Sequence, residues 1–349
     1  MSKPLITTVI PTYQRPERLS RAIQSVLGQT LADFRLCVYD NASGDDTMAV
    51  VEEFRRRDKR VEYFRRSKNV GGFANFMDGA NRVETPYFSF LPDDDVMLPH
   101  FFETSLEGFR RHPEAAMSIL TTIRMSAKGF ALDAPILQWP DGLLLPPVGM
   151  LSILRYGNPD LPGLLIRRAV WEELRGFDEA IGPCCDVDFE LRASARYPVV
   201  VSKEPGGILL VHDNTVTARS YLDWVWPALP RMADKLAQNV DIPQAARQEA
   251  AELLGGLLRR GLIMRGVVRS IIGGKWDEAE RAADLFLQEC KWTRVGGVIR
   301  PARMIGQKVP GMRALLRALL AARASLRVLQ HFNLQWRFRS YSKLVRVSP

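Results

Sequence analysis

The chain has 349 residues, 46% of them hydrophobic and 25% charged, a balance that supports a folded core and excludes a disordered, collagen-like or disulfide-stapled protein. No apolar run reaches the ~18 residues that a membrane-spanning helix needs. The net charge of +9 is unevenly divided: residues 291–349 carry thirteen Lys and Arg and no Asp or Glu, leaving 35 basic against 39 acidic residues elsewhere.

Short apolar runs alternate with amphipathic stretches over the first two hundred residues. Strands are predicted at Leu5–Ile10, Arg35–Tyr39, Val61–Phe64, Tyr87–Leu91 and Met117–Thr121, and helices at Glu17–Leu27, Asp46–Arg57, Phe73–Asn81 and Leu98–Arg111. Pro16, Ser43 with Asp45, and Pro99 mark helix starts. This alternation predicts an α/β fold with a mostly parallel sheet, whose chemistry belongs in the loops after the strands. From about residue 220 the strand signals fade. Helices are expected at Tyr221–Ala237, Pro243–Arg265, Lys275–Lys291 and Gly311–Gln330, which divides the chain into 1–218 and 219–349.

The polar loops carry the chemistry. Pro11-Thr12-Tyr13-Gln14-Arg15 follows the first strand and Asp40-Asn41-Ala42-Ser43-Gly44-Asp45-Asp46 the second. Arg65-Arg66-Ser67-Lys68-Asn69-Val70-Gly71-Gly72 follows the third and Pro92-Asp93-Asp94-Asp95 the fourth. Three adjacent carboxylates repel one another, so a cation or hydrogen-bond donors must offset that cost. An acidic helix start or an Asp-rich turn and cap would use the same residues without any ligand. The two glycines do not make GxGxxG, which argues against a dinucleotide site.

This ordered set resembles the family 2 inverting glycosyltransferases over roughly residues 4–215, which implies the GT-A fold, Rossmann-like and flanked by helices, with a helical C-terminal region. By that resemblance Asp93 contacts the nucleotide ribose, and Asp94, with Asp95 as a second ligand, holds Mg²⁺ or Mn²⁺. Pro11, Thr12, Tyr13 and Arg15 surround the base, and Asp40 and Asn41 recognise it. Arg66, Asn69 and Gly72 lie against the nucleotide. Gly176-Phe177-Asp178-Glu179 followed by Cys185-Asp186 is similar to the family's GFDE segment and acidic pair, so Asp186 falls on the catalytic base, with Cys185 in place of the usual Glu. His212 matches a histidine that binds metal or diphosphate in some members. Both residues also have plain structural readings, a helix cap for Asp186 and packing for a lone histidine.

The resemblance implies transfer from a UDP-, GDP- or dTDP-linked sugar to a hydroxyl of a glycan or lipid-linked acceptor in surface polysaccharide synthesis, with residues 126–147 as a lid. A non-catalytic nucleotide- or anion-binding scaffold is the alternative. A sugar-nucleotide pyrophosphorylase is disfavoured by the lack of a Gly-rich, Lys-containing loop near the start. Trp139, Trp224 and Trp226 read better as packing than as sugar platforms. On a helix of about 100° per residue, Arg313, Arg317, Arg323 and Arg327 share one arc of about 120°. The aromatic and basic run from Phe332 to Arg346 follows them. The tail thus suits an anionic membrane surface better than nucleic acid, for which no motif is present. Without a secretory signal the expected compartment is the cytoplasm, peripheral to the inner membrane face, with Cys37, Cys184, Cys185 and Cys290 reduced. Homo-oligomerisation is left open.

Overall fold

The computed structural model describes residues 4–212, 226–254 and 332–345, with single positions between 277 and 318. Ten strands form one sheet. They are β1 (Ile6–Thr12), β2 (Phe34–Asp40), β3 (Val61–Arg65), β4 (Tyr87–Phe90), β5 (Val96–Met97), β6 (Met117–Ser126), β7 (Ala131–Asp133), β8 (Gly142–Leu144), β9 (Leu164–Arg167) and β10 (Val199–Val211). The main order is β3-β2-β1-β4-β9-β6-β10-β5, with β7 on β6 and β8 on β10. Strands β3, β2, β1 and β4 are parallel, as are β6 and β10, while β9 runs antiparallel between β4 and β6. The sheet is therefore mostly parallel across its first four strands, as the alternating pattern predicts.

Seven helices lie in this part of the chain: α1 (Pro16–Leu27), α2 (Thr47–Arg57), α3 (Gly72–Asn81), α4 (Phe101–Arg111), α5 (Val148–Tyr156), α6 (Arg168–Glu173) and α7 (Cys185–Arg196). Strand β1 is buried at every position because helices cover both faces of a parallel sheet. Helix α1 starts on Pro16, whose fixed φ suits the first turn, and buries Leu19, Ala22, Ile23 and Val26 at helical spacing. Those side chains join Ile6, Ile10, Leu36, Val38, Phe101 and Phe102 in one core. Helix α3 approaches β1 closely because Gly79 has no side chain. A Cβ there would stand 2.5 Å from Val9 Cγ1 and 3.1 Å from the Tyr39 ring.

The predicted strands and helices of the first 121 residues all form, with ends shifted by a few residues. The lid expectation for residues 126–147 is corrected. Strand β7 pairs with β6 and β8 with β10, while Pro135, Ile136 and Trp139 are buried. The Lys203 ammonium donates to the carbonyls of Ile136 and Trp139, and Trp139 Nε1 donates to Gly157 O at 3.2 Å. Ladder bonds and a buried indole hold this segment in the sheet, so Trp139 is a packing residue.

The chain divides into two compact units, one of residues 1–212, 241–243 and 338–349, the other of 213–240 and 244–337. In the second unit α8 (Trp226–Gln238) buries Ala228, Leu229, Met232 and Leu236. It is followed by α9 (Gln244–Glu252), which buries Ala246 and Ala250. Helix α10 (Phe332–Phe338) leads back to the first unit, where Phe338 and Val345 are buried. Trp224, Cys290 and the basic arc at Arg313, Arg317, Arg323 and Arg327 lie outside the described residues. Among the described residues, no helix is long and apolar enough to cross a membrane.

An aromatic cluster joins the strand that carries the three aspartates to helix α7. Phe90 packs on Phe88, Trp171 and Phe177, with centroids 5.5, 5.6 and 5.4 Å apart, and Phe189 of α7 meets Trp171 at 5.0 Å. Phe90→Ala is expected to lower the stability of the full chain by about 3–5 kcal/mol in urea unfolding, as for other buried phenylalanines. A loss below about 1 kcal/mol would show that the cluster does not hold these elements together.

Candidate active site

The acidic turn Asp93-Asp94-Asp95 closes β4, and all three residues are buried, at 5%, 8% and 3% exposure. Three carboxylates tolerate this because each has donors. Asp93 accepts from Thr12 Oγ1 at 2.8 Å and from Arg15 Nη1 at 3.0 Å. Asp94 Oδ2 accepts from the same Arg15 nitrogen at 3.1 Å and lies 2.9 Å from His212 Nε2, with Arg18 Nη1 at 3.7 Å. Asp95 Oδ1 accepts from the Leu210 N–H of β10 at 2.8 Å. That oxygen therefore fastens the turn to β10. Burial pushes Asp93 up to about 6 against the pull of Arg15, and burial together with Asp94 pushes Asp95 well above the usual carboxylate range.

Helix α1 supplies further cations. Arg18 Nη1 is 2.8 Å from His212 Nε2, and Arg21 Nη2 donates to the Asp94 carbonyl at 2.9 Å. The first-turn spacing of Arg15, Arg18 and Arg21 was a signal in the sequence, but only the fold shows that this face of α1 looks onto the acidic turn. The carboxylate oxygen of Asp94 and the imidazole nitrogen of His212 suit a divalent cation. They lie 2.9 Å apart, so the same two side chains would be the ones to hold such an ion. Among the described residues no cluster of three or more carboxylate, imidazole or thiol groups forms a metal site. A protein contribution of two ligands leaves room for diphosphate and water, the usual habit of Mg²⁺.

The loops that follow β1, β2 and β3 lie beside this turn and are bound to one another. Asn41 N–H donates to Thr12 O at 3.0 Å, while Asn41 Nδ2 donates to Asn69 Oδ1 at 2.9 Å. Asn69 Oδ1 also accepts from Gly71 N–H, and Asn41 Oδ1 from Val70 N–H. Asn41 and Asn69 thus shape the loops. Pro11 is buried in β1, while the Tyr13 ring is 41% exposed and available for stacking. Gln14 and Ala42, at φ 53° and 64°, are held in the left-handed region that side chains disfavour, as is common where loops build a site.

Asp40 is fully buried, and both of its oxygens have protein partners. Oδ1 accepts from Ser43 N–H at 2.8 Å and Oδ2 from the Tyr63 hydroxyl at 2.6 Å. Arg66 pairs with Asp78 at 3.0 Å and donates to Asn75 at 3.3 Å, which anchors its loop to α3. Gly72 opens α3 and is exposed.

Asp186 occupies the first turn of α7, half-buried, and Oδ1 accepts from Val187 N–H at 2.8 Å. Burial raises its pKa to about 6, with Asp160 adding to the shift. Asp160 also raises Asp95, so one charge bears on both the acidic turn and α7. Asp160 is held at φ 57° and takes a two-pronged ion pair from Arg124, at 2.8 and 3.0 Å. Neither Arg124 nor Asp160 belongs to a sequence motif. Their pairing across 36 residues is visible only in space. Asp188 accepts from Arg192 Nε at 2.7 Å, while Arg192 also donates to Leu174 O and Gly176 O, which locks the Gly176-Phe177 turn onto α7. Burial holds the thiols of Cys184 and Cys185 above their ordinary range, so they are protonated neighbours of Asp186.

Residues 7–138 match the family model "Glycosyl transferase family 2". An uncharacterized glycosyltransferase of Methanocaldococcus jannaschii, MJ1057, is 32% identical over 105 residues, 30% of this chain and 36% of that protein. The GalNAc(5)-diNAcBac-PP-undecaprenol beta-1,3-glucosyltransferase of Campylobacter jejuni is 30% identical over 105 residues, 30% of this chain and 34% of that protein. The chain spans about a third of the length of these relatives. The crystal structure of S. aureus TarS 1–349 in complex with UDP-GlcNAc superposes with a TM-score of 0.63 at 14% identity, covering 99% of this chain and 93% of that one. That likeness establishes a GT-A fold. On the family match and the site that its loops build, residues 7–138 are those of a glycosyl transferase family 2 domain.

Proposed function

We propose that the protein is a metal-dependent inverting glycosyltransferase, moving a sugar from a nucleotide-diphosphate donor to a hydroxyl of a glycan or lipid-linked acceptor in surface polysaccharide synthesis. The observation that carries this reading is the pairing of Asp94 with His212 inside a buried, cation-lined acidic turn at the carboxyl end of β4. Open α/β sheets bind ligands at that end of their strands.

In this reading Tyr13 stacks on the base, Asp40 and Asn41 hold the loop around it, and Asp93 receives the ribose. Asp94 and His212 hold Mg²⁺ or Mn²⁺, which when bound supplies positive charge against the diphosphate. Arg15 and Arg18 bring guanidinium groups to the same place, and such groups pair strongly with phosphate oxygens. Asp186, ionised at neutral pH, removes the proton from the acceptor hydroxyl. The acceptor oxygen bonds to the anomeric carbon as the bond to the diphosphate breaks, and the nucleoside diphosphate leaves from the opposite face. Donors bound in related proteins and the acceptor in the Campylobacter enzyme's name support the substrate class.

Three measurements test the parts separately. Titration with Mn²⁺ in the presence of UDP, GDP or dTDP is expected to show binding that Asp94→Asn and His212→Ala each weaken at least tenfold. Unchanged affinity in both variants would remove the metal site. A thermal-shift screen of UDP-, GDP- and dTDP-sugars with Mn²⁺ selects the donor for kinetics.

With that donor, Asp186→Asn is expected to lower turnover about 10²–10⁴-fold while nucleotide binding is kept. Since only ionised Asp186 accepts a proton, wild-type turnover should fall as pH drops through about 6. Retained turnover in Asp186→Asn would mean that another group is the base, and binding without turnover in the wild type would favour the scaffold.

The basic tail is assigned to an anionic membrane surface, each nearby cation contributing about 1 kcal/mol. Truncation before Lys291 should abolish flotation with anionic liposomes. Unchanged flotation would place the membrane contact elsewhere.

A further inference from the structure

Besides Asp186 and the ion-paired Asp188, helix α7 carries a third carboxyl, which the reaction above does not use. Glu190 follows Asp186 by four residues, so the two share one face of the helix. Glu190 is 1% exposed, and neither of its oxygens has a hydrogen-bond partner. A buried polar group left unpaired in this way is rare and calls for a physical reason.

The charged groups facing Glu190 are Asp186 on its own helix, Asp160 in the turn before β9, and Arg124 on β6. Arg124 is committed elsewhere. Its guanidinium grips both oxygens of Asp160, donates to Asn158 Oδ1 at 3.2 Å, and faces Asp133 at 3.6 Å. An ionised Glu190 would therefore be a charge without water, without a donor, and beside two other carboxylates. Such a group takes up a proton instead. Burial first, then Asp186 and Asp160, hold Glu190 well above the usual carboxylate range, whereas Asp186 reaches about 6. Asp186 is half-buried and has the Val187 N–H on Oδ1, whereas Glu190 has neither water nor a donor, so Asp186 ionises first and Glu190 keeps the proton of the pair.

We propose that Glu190 is a positioning residue for Asp186, and that transfer requires its buried carboxyl to stay protonated. The proposal rests on the reading of Asp186 as the base. Loss of the Glu190 proton would set an unpaired charge one turn from Asp186. The close packing of α7 against α5, where a Cβ on Gly149 would stand 3.1 Å from Ser194 Cβ, leaves the first turn of α7 as the part that can yield. Displacement of that turn moves the base, which gives turnover an upper pH limit.

The direction of the stability effect follows from the same shift. The folded protein holds the Glu190 proton more tightly than the unfolded chain does. The stabilisation is complete below the unfolded value of about 4.3 and is lost as pH rises through the folded one. Glu190→Gln keeps the shape and has no proton to lose.

The test compares the full-length wild type with Glu190→Gln and, should the amide fold poorly, the apolar Glu190→Met. The melting temperature of the variant relative to wild type should rise as pH increases above the unfolded value of about 4.3 and level off once Glu190 ionises in the folded protein. With the donor chosen by the binding screen, the alkaline limb of wild-type turnover should move up by one pH unit or more in the variant, while the acid limb near 6 stays. Parallel melting curves would show that Glu190 ionises freely and would overturn the proposal. An unmoved alkaline limb would overturn the positioning role. Asp186→Asn separates the two readings. If it abolishes turnover while the limbs coincide, only the role of Glu190 falls. If it leaves turnover intact, the base assignment falls, and the positioning role falls with it.

Discussion

Three adjacent carboxylates buried at the end of a strand are the constraint around which the rest of this protein is arranged. Their mutual repulsion and lost hydration have to be offset, and the offset comes from elements distant in the chain. Thr12 and Arg15 reach Asp93 from the end of β1, His212 reaches Asp94 from the end of β10, and the Leu210 amide reaches Asp95. A site made this way is preorganised: the same donors that make the turn tolerable fix the direction of each carboxylate. Asp94 Oδ2 is approached by Arg15 Nη1 and His212 Nε2, which also lie 3.0 Å from Asp93 and 2.8 Å from Arg18, so the contacts around the turn form one network.

The second half of the site is coupled to the first through packing and through charge. The ring cluster of Phe88, Phe90, Trp171, Phe177 and Phe189 runs from β4 to α7, so the strand bearing the acidic turn and the helix bearing Asp186 rest on one hydrophobic support. Asp160, fixed by Arg124, raises the pKa of both Asp95 and Asp186. Where the family pattern places a Glu, before the proposed base Asp186, this chain has Cys185, a protonated thiol. The carboxyl neighbour of Asp186 is instead Glu190, one helical turn further on.

The end of the described chain returns to the acidic turn. Phe338 and Val345 are buried in the first unit, and Arg21 donates to the Val345 carbonyl at 3.4 Å with one nitrogen and to the Asp94 carbonyl at 2.9 Å with another. The same arginine therefore joins the C-terminal segment to the backbone of the proposed metal ligand. Around the two buried anchors the segment exposes Arg339, Lys343 and Leu344, a cationic and partly apolar surface.

The sequence alone determined the elements whose signals are local. Burial on both faces makes β1 and β2 read as largely apolar runs, Pro16 starts α1, and Asp93-Asp94-Asp95 stands out because adjacent carboxylates need an external reason. The membership of residues 7–138 in the family was legible for the same cause, since its loops follow strands in fixed order. Tertiary structure alone decided what those residues meet. Asp40 and Arg66 follow strands in the sequence, and only the fold shows that they meet Ser43, Tyr63 and Asp78. Residues 126–147 lacked strong periodicity and read as a lid, yet two short strands and a buried Trp139 place them in the sheet. Arg124, Asp160 and Glu190 have no motif because their interaction is a matter of distance and dielectric, and neither quantity exists until the chain has folded.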